Sequence, residues 1–327
     1  MGSQTKFLVT PIKPPFFLNG RNPIQTAEPF PLIRIFNDNF NVAMQVPPTK
    51  DLSPFIKHYL FLESDGHAVK KLRLFSDGNT GMVFCFKNRL ISRVDDTDQL
   101  NNLPDSFVYG QIAGFKDLYL ANEASLIIIV FNPDGIYRLL GIFANEIRDR
   151  IICTGDLFGI RGTQLHDQLA EQPGVEEKIS LLNAFFLQLI PKHSSSNEIL
   201  IRASLNFINR NRAGFTLKQL VKHTGYTERH IERAFGEAIG VSPKKFGNIL
   251  KLHSFIKVLK EKTAHDSITP FCYEVGYFDQ SHLIKELRKY TGITPTQYLS
   301  DTSRLTTNFV AFNAADLRMS DLYNLVK

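Results

Sequence analysis

The sequence predicts a two-domain protein of the α+β class, in which a β-barrel followed by helices precedes an all-α domain with two helix-turn-helix units. Three observations lead to this prediction. The length of 327 residues is typical of two domains. Short apolar runs separated by turn residues occupy the region from 32 to about 132, which favours a small barrel or jelly roll. After residue 197, apolar residues recur instead at helical spacing.

The N-terminal residues 1–31 are expected to form an extended arm, because six prolines between Pro11 and Pro31 exclude a regular helix. The barrel domain is expected from 32 to 190. Its predicted strands are Asn41–Val46, His58–Glu63, Met82–Phe86, Ser106–Gln111 and Leu126–Phe131. The residues from Asn132 to Gly135 then end the last strand, and an apolar helix is predicted over Ile136–Phe143.

A further helix is predicted from Val175 to Ile190, because apolar residues recur there with the 4-3-4-3 spacing of a heptad. This heptad face consists of Val175, Ile179, Leu182, Phe186 and Leu189. Packing against its own domain and pairing with a second copy explain the spacing equally well. We take it as the candidate dimerisation surface. Residues 191–197 are polar, include a proline and are predicted to be a linker.

One sequence pattern occurs twice in the predicted domain from 198 to 300. Its first copy runs from Gly225 to Pro243 and its second from Gly276 to Pro295. Each copy has a glycine and an aromatic residue, a helical stretch, and then glycine, an aliphatic residue, a hydroxyl residue and proline. A glycine permits the left-handed backbone that a tight turn between two helices requires. Two copies therefore predict a double helix-turn-helix domain.

A short helix is expected before each glycine turn, at Leu217–Thr224 and at Thr269–Val275, with Thr216 and Ser267 as N-caps. A long helix from Phe246 to Leu259 should connect the two units. Because such a connector is rigid, the second helix of each unit, the recognition helix, could enter successive major grooves roughly 34 Å apart.

Helical spacing gives each recognition helix an inner and an outer face. The residues expected to pack inward are Ile231, Ala234, Phe235, Ala238, Leu283 and Leu287. The residues expected on the outer faces are Arg229, Glu232, Arg233, Ser281, Ile284, Lys285 and Arg288. Arginine and lysine donate well to guanine in the major groove, so the outer faces are candidates for base contact. Ile284 would contact a thymine methyl group or pack against a neighbouring side chain, and both interpretations stay open.

The charge distribution points to a polyanion as the partner of this domain. Between residues 197 and 300 there are 16 basic and 9 acidic residues, whereas the rest of the chain has 22 basic and 23 acidic ones. A basic surplus confined to one segment is typical of nucleic-acid-binding domains. A merely solvated basic surface would give the same count.

The residues from Glu274 to Leu283 and from Lys289 to Tyr298 resemble the signature of the AraC/XylS family of bacterial transcription regulators. The resemblance covers residues 197 to 300 and implies a sequence-specific DNA-binding regulator that is not an enzyme. The base contacts that it implies fall on Arg229, Glu232, Arg233, Gln280, Ser281 and Lys285. Lys251 stands where the family usually has an arginine near DNA phosphates.

The N-terminal part resembles, less specifically, the barrel-like sensor domains that accompany such DNA-binding domains, so a cupin-like barrel is expected. Related barrels can be metalloenzymes, but His58, His67 and His166 form no HxH pair and have no carboxylate at metal-ligand spacing. We therefore expect a binding barrel with no metal, no cofactor and no catalytic residues. Two residue pairs are candidates for lining a small-molecule pocket: Arg73 with Asp77, and Tyr109 with Gln111. The alternative is that they are surface residues or polar groups with a purely structural role. No ligand residue is assigned.

The expected partners are promoter DNA, RNA polymerase, a small-molecule effector of unknown identity and a second copy of the chain. No apolar run is long enough to cross a bilayer, and three widely spaced cysteines read as buried thiols, so a bacterial cytoplasmic protein associated with the nucleoid is expected. The segment 197–300 is predicted to fold and bind DNA alone, and residues 301–327 to form a tail. The alternatives are a cupin-type enzyme with an appended DNA-binding domain and an architectural protein without sequence preference.

Overall fold

The computed structural model describes residues 33–34, 40–65, 70–93, 100–120, 123–191, 196–211, 214–259, 272–273, 275–277, 279–300, 302–304 and 308–312. The predicted arm, His67, Ser267 and most of the helix predicted at 269–275 lie outside these residues.

The strands of the described residues follow one another as β1 Ile33–Arg34, β2 Val42–Val46, β3 Ile56–Ser64, β4 Lys70–Phe75, β5 Gly81–Cys85, β6 Leu90–Arg93, β7 Leu100–Asn102, β8 Ser106–Tyr109, β9 Phe115–Leu120, β10 Ala124–Phe131, β11 Ile151–Cys153, β12 Thr302–Arg304 and β13 Phe309–Phe312. They form two antiparallel sheets. The inner sheet has the order β1-β2-β3-β10-β5-β8-β11, and the outer sheet has the order β12-β13-β4-β9-β6-β7.

The described helices are α1 Gly135–Leu140, α2 Thr154–Phe158, α3 Ile160–Glu171, α4 Val175–Leu187, α5 Ser196–Arg210, α6 Leu217–Thr224, α7 Glu228–Ile239, α8 Pro243–Leu259, α9 Gln280–Thr291 and α10 Pro295–Ser300. Helices α1 to α4 pack on the face of the inner sheet that is turned away from the outer sheet. Helices α5 to α10 belong to the C-terminal domain.

The central strands of the inner sheet are buried on both faces. Every residue of β10 is buried. On one face, Ile127 and Ile129 join a core with the helices, and on the other, Ile128 and Val130 join a core between the two sheets. A strand covered on both sides reads as a continuous apolar run, which explains why the sequence signal at Leu126–Phe131 is strong.

The five strands predicted from the sequence are confirmed as β2, β3, β5, β8 and β10, with ends that differ by up to two residues. All five belong to the inner sheet. None of the strands of the outer sheet was predicted. The two-domain α+β architecture with a β-rich N-terminal part is therefore correct, but eight of the thirteen described strands, including the whole outer sheet, were missed.

The heptad face predicted for dimerisation instead packs within the chain. Ile179, Leu182 and Phe186 are fully buried in the core that α4 shares with the inner sheet, and Val175 and Leu189 pack against the same core. The ring of Phe186 lies edge-on to Phe131, with centroids 5.9 Å apart. Three of the five side chains of the heptad face are therefore enclosed within the chain and cannot also contact a second copy. Burial of α4 in its own domain thus explains the heptad spacing.

The C-terminal domain has the helices that the repeat predicts. Helix α6 matches the predicted range, and the connecting helix α8 begins three residues earlier than predicted. Thr216 caps α6 in a capping box with Gln219. Gly225 and Gly276 have φ angles of 74° and 81°, in the left-handed region that the turns require. All six residues predicted to pack inward in the recognition helices are buried.

The C-terminal segment does not lie apart from the folded domains. Strand β12 pairs with β13, and β13 pairs with β4, so this hairpin extends the outer sheet of the N-terminal domain. The chain thus passes from the first domain to the second and back again.

Cys85 and Cys272 are buried and Cys153 is half-buried. Among the described helices, none is long and apolar enough to span a membrane.

Candidate nucleic-acid interface and adjoining cavity

The first recognition helix, α7, begins at a side-chain cap and presents two arginines. The Thr227 hydroxyl accepts from the backbone N–H of His230. Arg229 and Arg233 are exposed, and Glu232 is half-buried. Arg233 Nε lies 4.0 Å from Glu237 Oε1, a pair one helical turn apart that is weak at this distance and exposure. Both guanidinium groups can therefore reorient toward a partner outside the protein.

The second recognition helix, α9, is built in the same way. Asp279 accepts from the backbone N–H of His282 through its carboxylate, which fixes the start of the helix. Ser281 and Lys285 are exposed, whereas Gln280 and Ile284 are half-buried. Partial burial of Ile284 leaves both of its interpretations open. The predicted outer faces of α7 and α9 thus lie at the protein surface.

Lys251 lies on the connecting helix against the second unit. Its ammonium nitrogen stands 4.5 Å from the ring centroid of Tyr277, directly after the glycine turn. Burial lowers the pKa of Lys251, and Glu286 partly opposes this effect. Lys251 therefore has one partner inside the domain, and a contact with a DNA phosphate remains a prediction.

A cavity of about 360 Å³ lies between the two sheets of the N-terminal domain. Its walls are mostly aliphatic and aromatic side chains from both sheets, such as Leu60, Val83, Phe107, Leu118 and Ile128. Three cationic side chains and one carboxylate also line it: Arg93, Lys116, Arg150 and Asp149. A volume of this size with an apolar lining and few polar groups is typical of small-molecule sites.

His58 is a buried polar side chain that lines this cavity. It projects from β3, is only 7% exposed, and neither ring nitrogen has a hydrogen-bond partner among the described residues. Burial lowers the pKa of His58 to about 4, with Lys57 acting in the same direction and Asp77 against it. The ring is therefore neutral near pH 7, with one nitrogen able to donate and the other able to accept.

The pKa of His58 predicts an acid-dependent loss of stability. Because the folded-state pKa lies below the ordinary histidine pKa of 6.5, the unfolded chain binds the proton more readily. The stabilising contribution is complete above about pH 6.5 and is lost as the pH falls toward 4. Between about pH 8 and pH 5 the free energy of unfolding should fall by about 2 kcal/mol more in the wild type than in His58→Gln. Urea titrations of both proteins at each pH measure this, and parallel losses would contradict it.

The two polar pairs considered from the sequence separate in the structure. Tyr109 lines the cavity. Gln111 is buried and accepts from Ser76 Oγ at 3.2 Å. Arg73 instead forms a two-pronged ion pair with Asp117, at 2.5 and 2.7 Å. Burial alone would raise the pKa of Asp117, but the hydrogen bonds and charge of Arg73, helped by Lys71, hold it below its usual value.

Sequence reasoning considered His58 only as a metal ligand and found neither the cavity nor the Arg73–Asp117 pair. Within the described residues, no group of three His, Cys, Asp or Glu side chains could hold a metal ion. A lone histidine inside an apolar strand run was the one signal that could have marked His58 as a buried polar group. The cavity left no such signal, because its walls come from strands far apart in the chain.

Known proteins match the two domains separately. Residues 220–301 match the family described as "Helix-turn-helix domain", and residues 44–153 match the family described as "Domain of unknown function (DUF6597)". The HTH-type transcriptional activator AarP of Providencia stuartii is 28% identical over 108 residues, which are 32% of this chain and 75% of that protein. An uncharacterized HTH-type transcriptional regulator of Haemophilus influenzae is 29% identical over 87 residues, which are 27% of this chain and 28% of that protein.

Among solved structures, ToxT from Vibrio cholerae O395 aligns with 76% of this chain and 97% of its own, at 11% identity and a TM-score of 0.43. The type of the C-terminal domain follows from the signature between Glu274 and Tyr298, the two relatives and the matched family. Residues 220–301 are a helix-turn-helix domain of the AraC type, which follows a DUF6597 domain in the same chain.

Proposed function

We propose that this protein is a transcription regulator that reads a DNA sequence with α7 and α9 and responds to a small effector bound between its two sheets. The observation that carries the first part is the pair of capped recognition helices with exposed outer faces. Arg229 and Arg233 lie on the outer face of α7, and Ser281 and Lys285 lie on the outer face of α9. These side chains can form base-specific hydrogen bonds, which favours sequence-specific binding over architectural binding.

The cavity supports an effector with an apolar body and a polar or anionic end. Most of the lining side chains are apolar and favour an apolar occupant. The three cationic side chains outnumber the one carboxylate and favour a negative charge at one end. His58 offers a neutral donor and acceptor in the interior. A small organic acid or a similar amphiphile fits this distribution of charge.

Promoter DNA and RNA polymerase are the partners on which such a regulator would act. A second copy of the chain is a further proposed partner, through a surface other than the heptad face of α4, because that face is enclosed.

A binding-site selection with the full chain and random double-stranded DNA tests the DNA-binding part. We expect a defined motif with two blocks about one helical turn, roughly 34 Å, apart. Affinity for this motif should exceed that for random DNA by about 10³-fold or more at physiological salt. An unselected pool, or equal affinity for both, would overturn sequence-specific regulation and leave architectural binding.

Lys251→Ala should weaken binding to all DNA sequences alike and reduce the slope of log affinity against log salt by about one. The reason is that a phosphate contact releases counterions but carries no sequence information. Lys257→Ala is the matched control, because Lys257 is exposed on the same helix. A change in the selected motif, or a slope equal to that of the control, would show that Lys251 serves only its contact with Tyr277.

A further inference from the structure

Neighbouring residues of β13 face two different interiors. Phe309 lines the cavity between the sheets. Val310 is fully buried in the core of the second helix-turn-helix unit, together with Leu283 and Leu287 of the recognition helix α9. Successive side chains of a strand point to opposite faces, so this one strand separates the cavity from the second unit.

Strand β4 repeats the arrangement beside β13. Leu74 is paired with Phe309 and also lines the cavity. Phe75 is fully buried in the same core as Val310. The two strands are joined further by the Asn308 side chain, which donates to the Phe75 carbonyl at 3.1 Å. The β4–β13 pair is therefore a common wall of the cavity and the second unit.

The end of the recognition helix α9 rests on the same face of the outer sheet. Arg73 of β4 donates to the carbonyl of Thr291 at 3.2 Å, and its guanidinium lies 4.1 Å from the ring centroid of Phe115 on β9. A Cβ atom at Gly292 would stand 2.5 Å from both side chains. The C-terminal end of α9 is therefore packed closely against side chains of β4 and β9.

The first helix-turn-helix unit touches the N-terminal domain elsewhere. Arg138 of α1 forms an ion pair with Glu198 of α5 at 2.5 Å, and the N–H of Ala144 donates to the carbonyl of Glu237 in α7 at 2.7 Å. These contacts lie on the helical side of the inner sheet. Phe246 of α8, in the core of the first unit, also approaches the N-terminal domain at Gly78. The cavity strands β4 and β13 themselves meet the second unit directly, through Phe75 and Val310.

We propose that β13 is an effector-binding strand, through Phe309, and that effector occupancy acts on the second helix-turn-helix unit through Val310 on its opposite face. The proposal rests on the effector cavity proposed above. An occupant that packs against Phe309 and Leu74 fixes the β4–β13 pair and so stabilises the docked position of α9. Effector and DNA then change each other's affinity by the same factor, as linkage requires.

The test uses 1-anilinonaphthalene-8-sulfonate, an anionic aromatic dye, with the full chain. Val83→Phe, which fills the cavity, and Phe309→Ala, which removes part of its wall, should each weaken dye binding about tenfold. Phe143→Ala is the matched control, because Phe143 is exposed. Dye binding should slow amide hydrogen exchange in α9 about fivefold or more and leave α7 unchanged. Val310→Ala should keep dye affinity within about twofold but lose the slowing in α9.

The outcomes separate the two proposals. If the dye does not bind, or Val83→Phe leaves its affinity unchanged, the effector cavity itself is wrong. If Val83→Phe weakens binding but Phe309→Ala does not, the role of β13 in the cavity is wrong while the cavity stands. If α9 is slowed equally in Val310→Ala and the wild type, the route through β13 is wrong. Should circular dichroism show Phe309→Ala unfolded, Phe309→Leu replaces it, with an expected weakening of about threefold.

Discussion

Replacing Arg233 and Lys285 together by alanine is expected to lower the affinity for the selected DNA site by about 30-fold to about 25,000-fold. Each side chain is exposed on a recognition helix and can donate to guanine. Loss of one base contact costs about 1–3 kcal/mol, and losses at separate sites add. Within the part of the chain that the structure describes, Arg233 pairs weakly with Glu237 at 4.0 Å, so little stability is lost with the side chain.

The single variants decide whether both helices read bases. Arg233→Ala and Lys285→Ala should each relax the preference at a different base position in a repeated selection. Arg161→Ala removes one exposed cation from α3 of the N-terminal domain and serves as the charge control. Two variants that alter the same base pair, or that leave the motif intact, would mean that one unit acts only as an electrostatic support.

Leu182→Asp is expected to unfold the N-terminal domain rather than to separate two subunits. Leu182 is fully buried in the core between α4 and the inner sheet, so an aspartate there would be an unpaired buried charge. Its cost of about 4 kcal/mol or more approaches the whole stability of a typical domain. Thermal unfolding followed by circular dichroism measures the loss.

Leu187→Asp is the matched control, since Leu187 is 39% exposed on the same helix. It should leave the unfolding midpoint nearly unchanged. Sedimentation of both variants completes the test. A Leu182→Asp protein that unfolds like the wild type, but sediments as a monomer where the wild type is a dimer, would restore the heptad face as an interface.

Five of the seven inner-sheet strands were predictable, because their residues form apolar or alternating runs in the sequence. The outer sheet was not, since its strands mix charge with apolar residues. In β4, the polar position of Arg73 looks like a solvent-facing one, yet Arg73 is buried against the second domain. Strands β6 and β7 have only four and three residues, too few for a periodic signal.

The candidate DNA-binding surface was predictable because it is local. Caps, glycine turns and helical faces all lie within about twenty residues of one another in each unit. The cavity joins Val83 to Phe309, and β13 pairs with β4 across more than two hundred residues. No local pattern records such a pairing. The segment 197–300 also lacks Phe75 and Val310, which complete the core of the second unit, so its independent folding stays a prediction.

The return of the chain to the first domain sets an order of assembly during synthesis. A ribosome releases the helices of the DNA-binding domain before it releases Phe309–Phe312, the strand that pairs with Lys70–Phe75. The outer sheet and the cavity therefore cannot be completed until Phe309–Phe312 has been synthesised. The newly made chain must keep the edge of β4 unpaired until then, which exposes it to mispairing. If the DNA-binding domain were transferred to another protein together with the β12–β13 hairpin, the N-terminal domain left behind would keep the edge of β4 permanently unpaired.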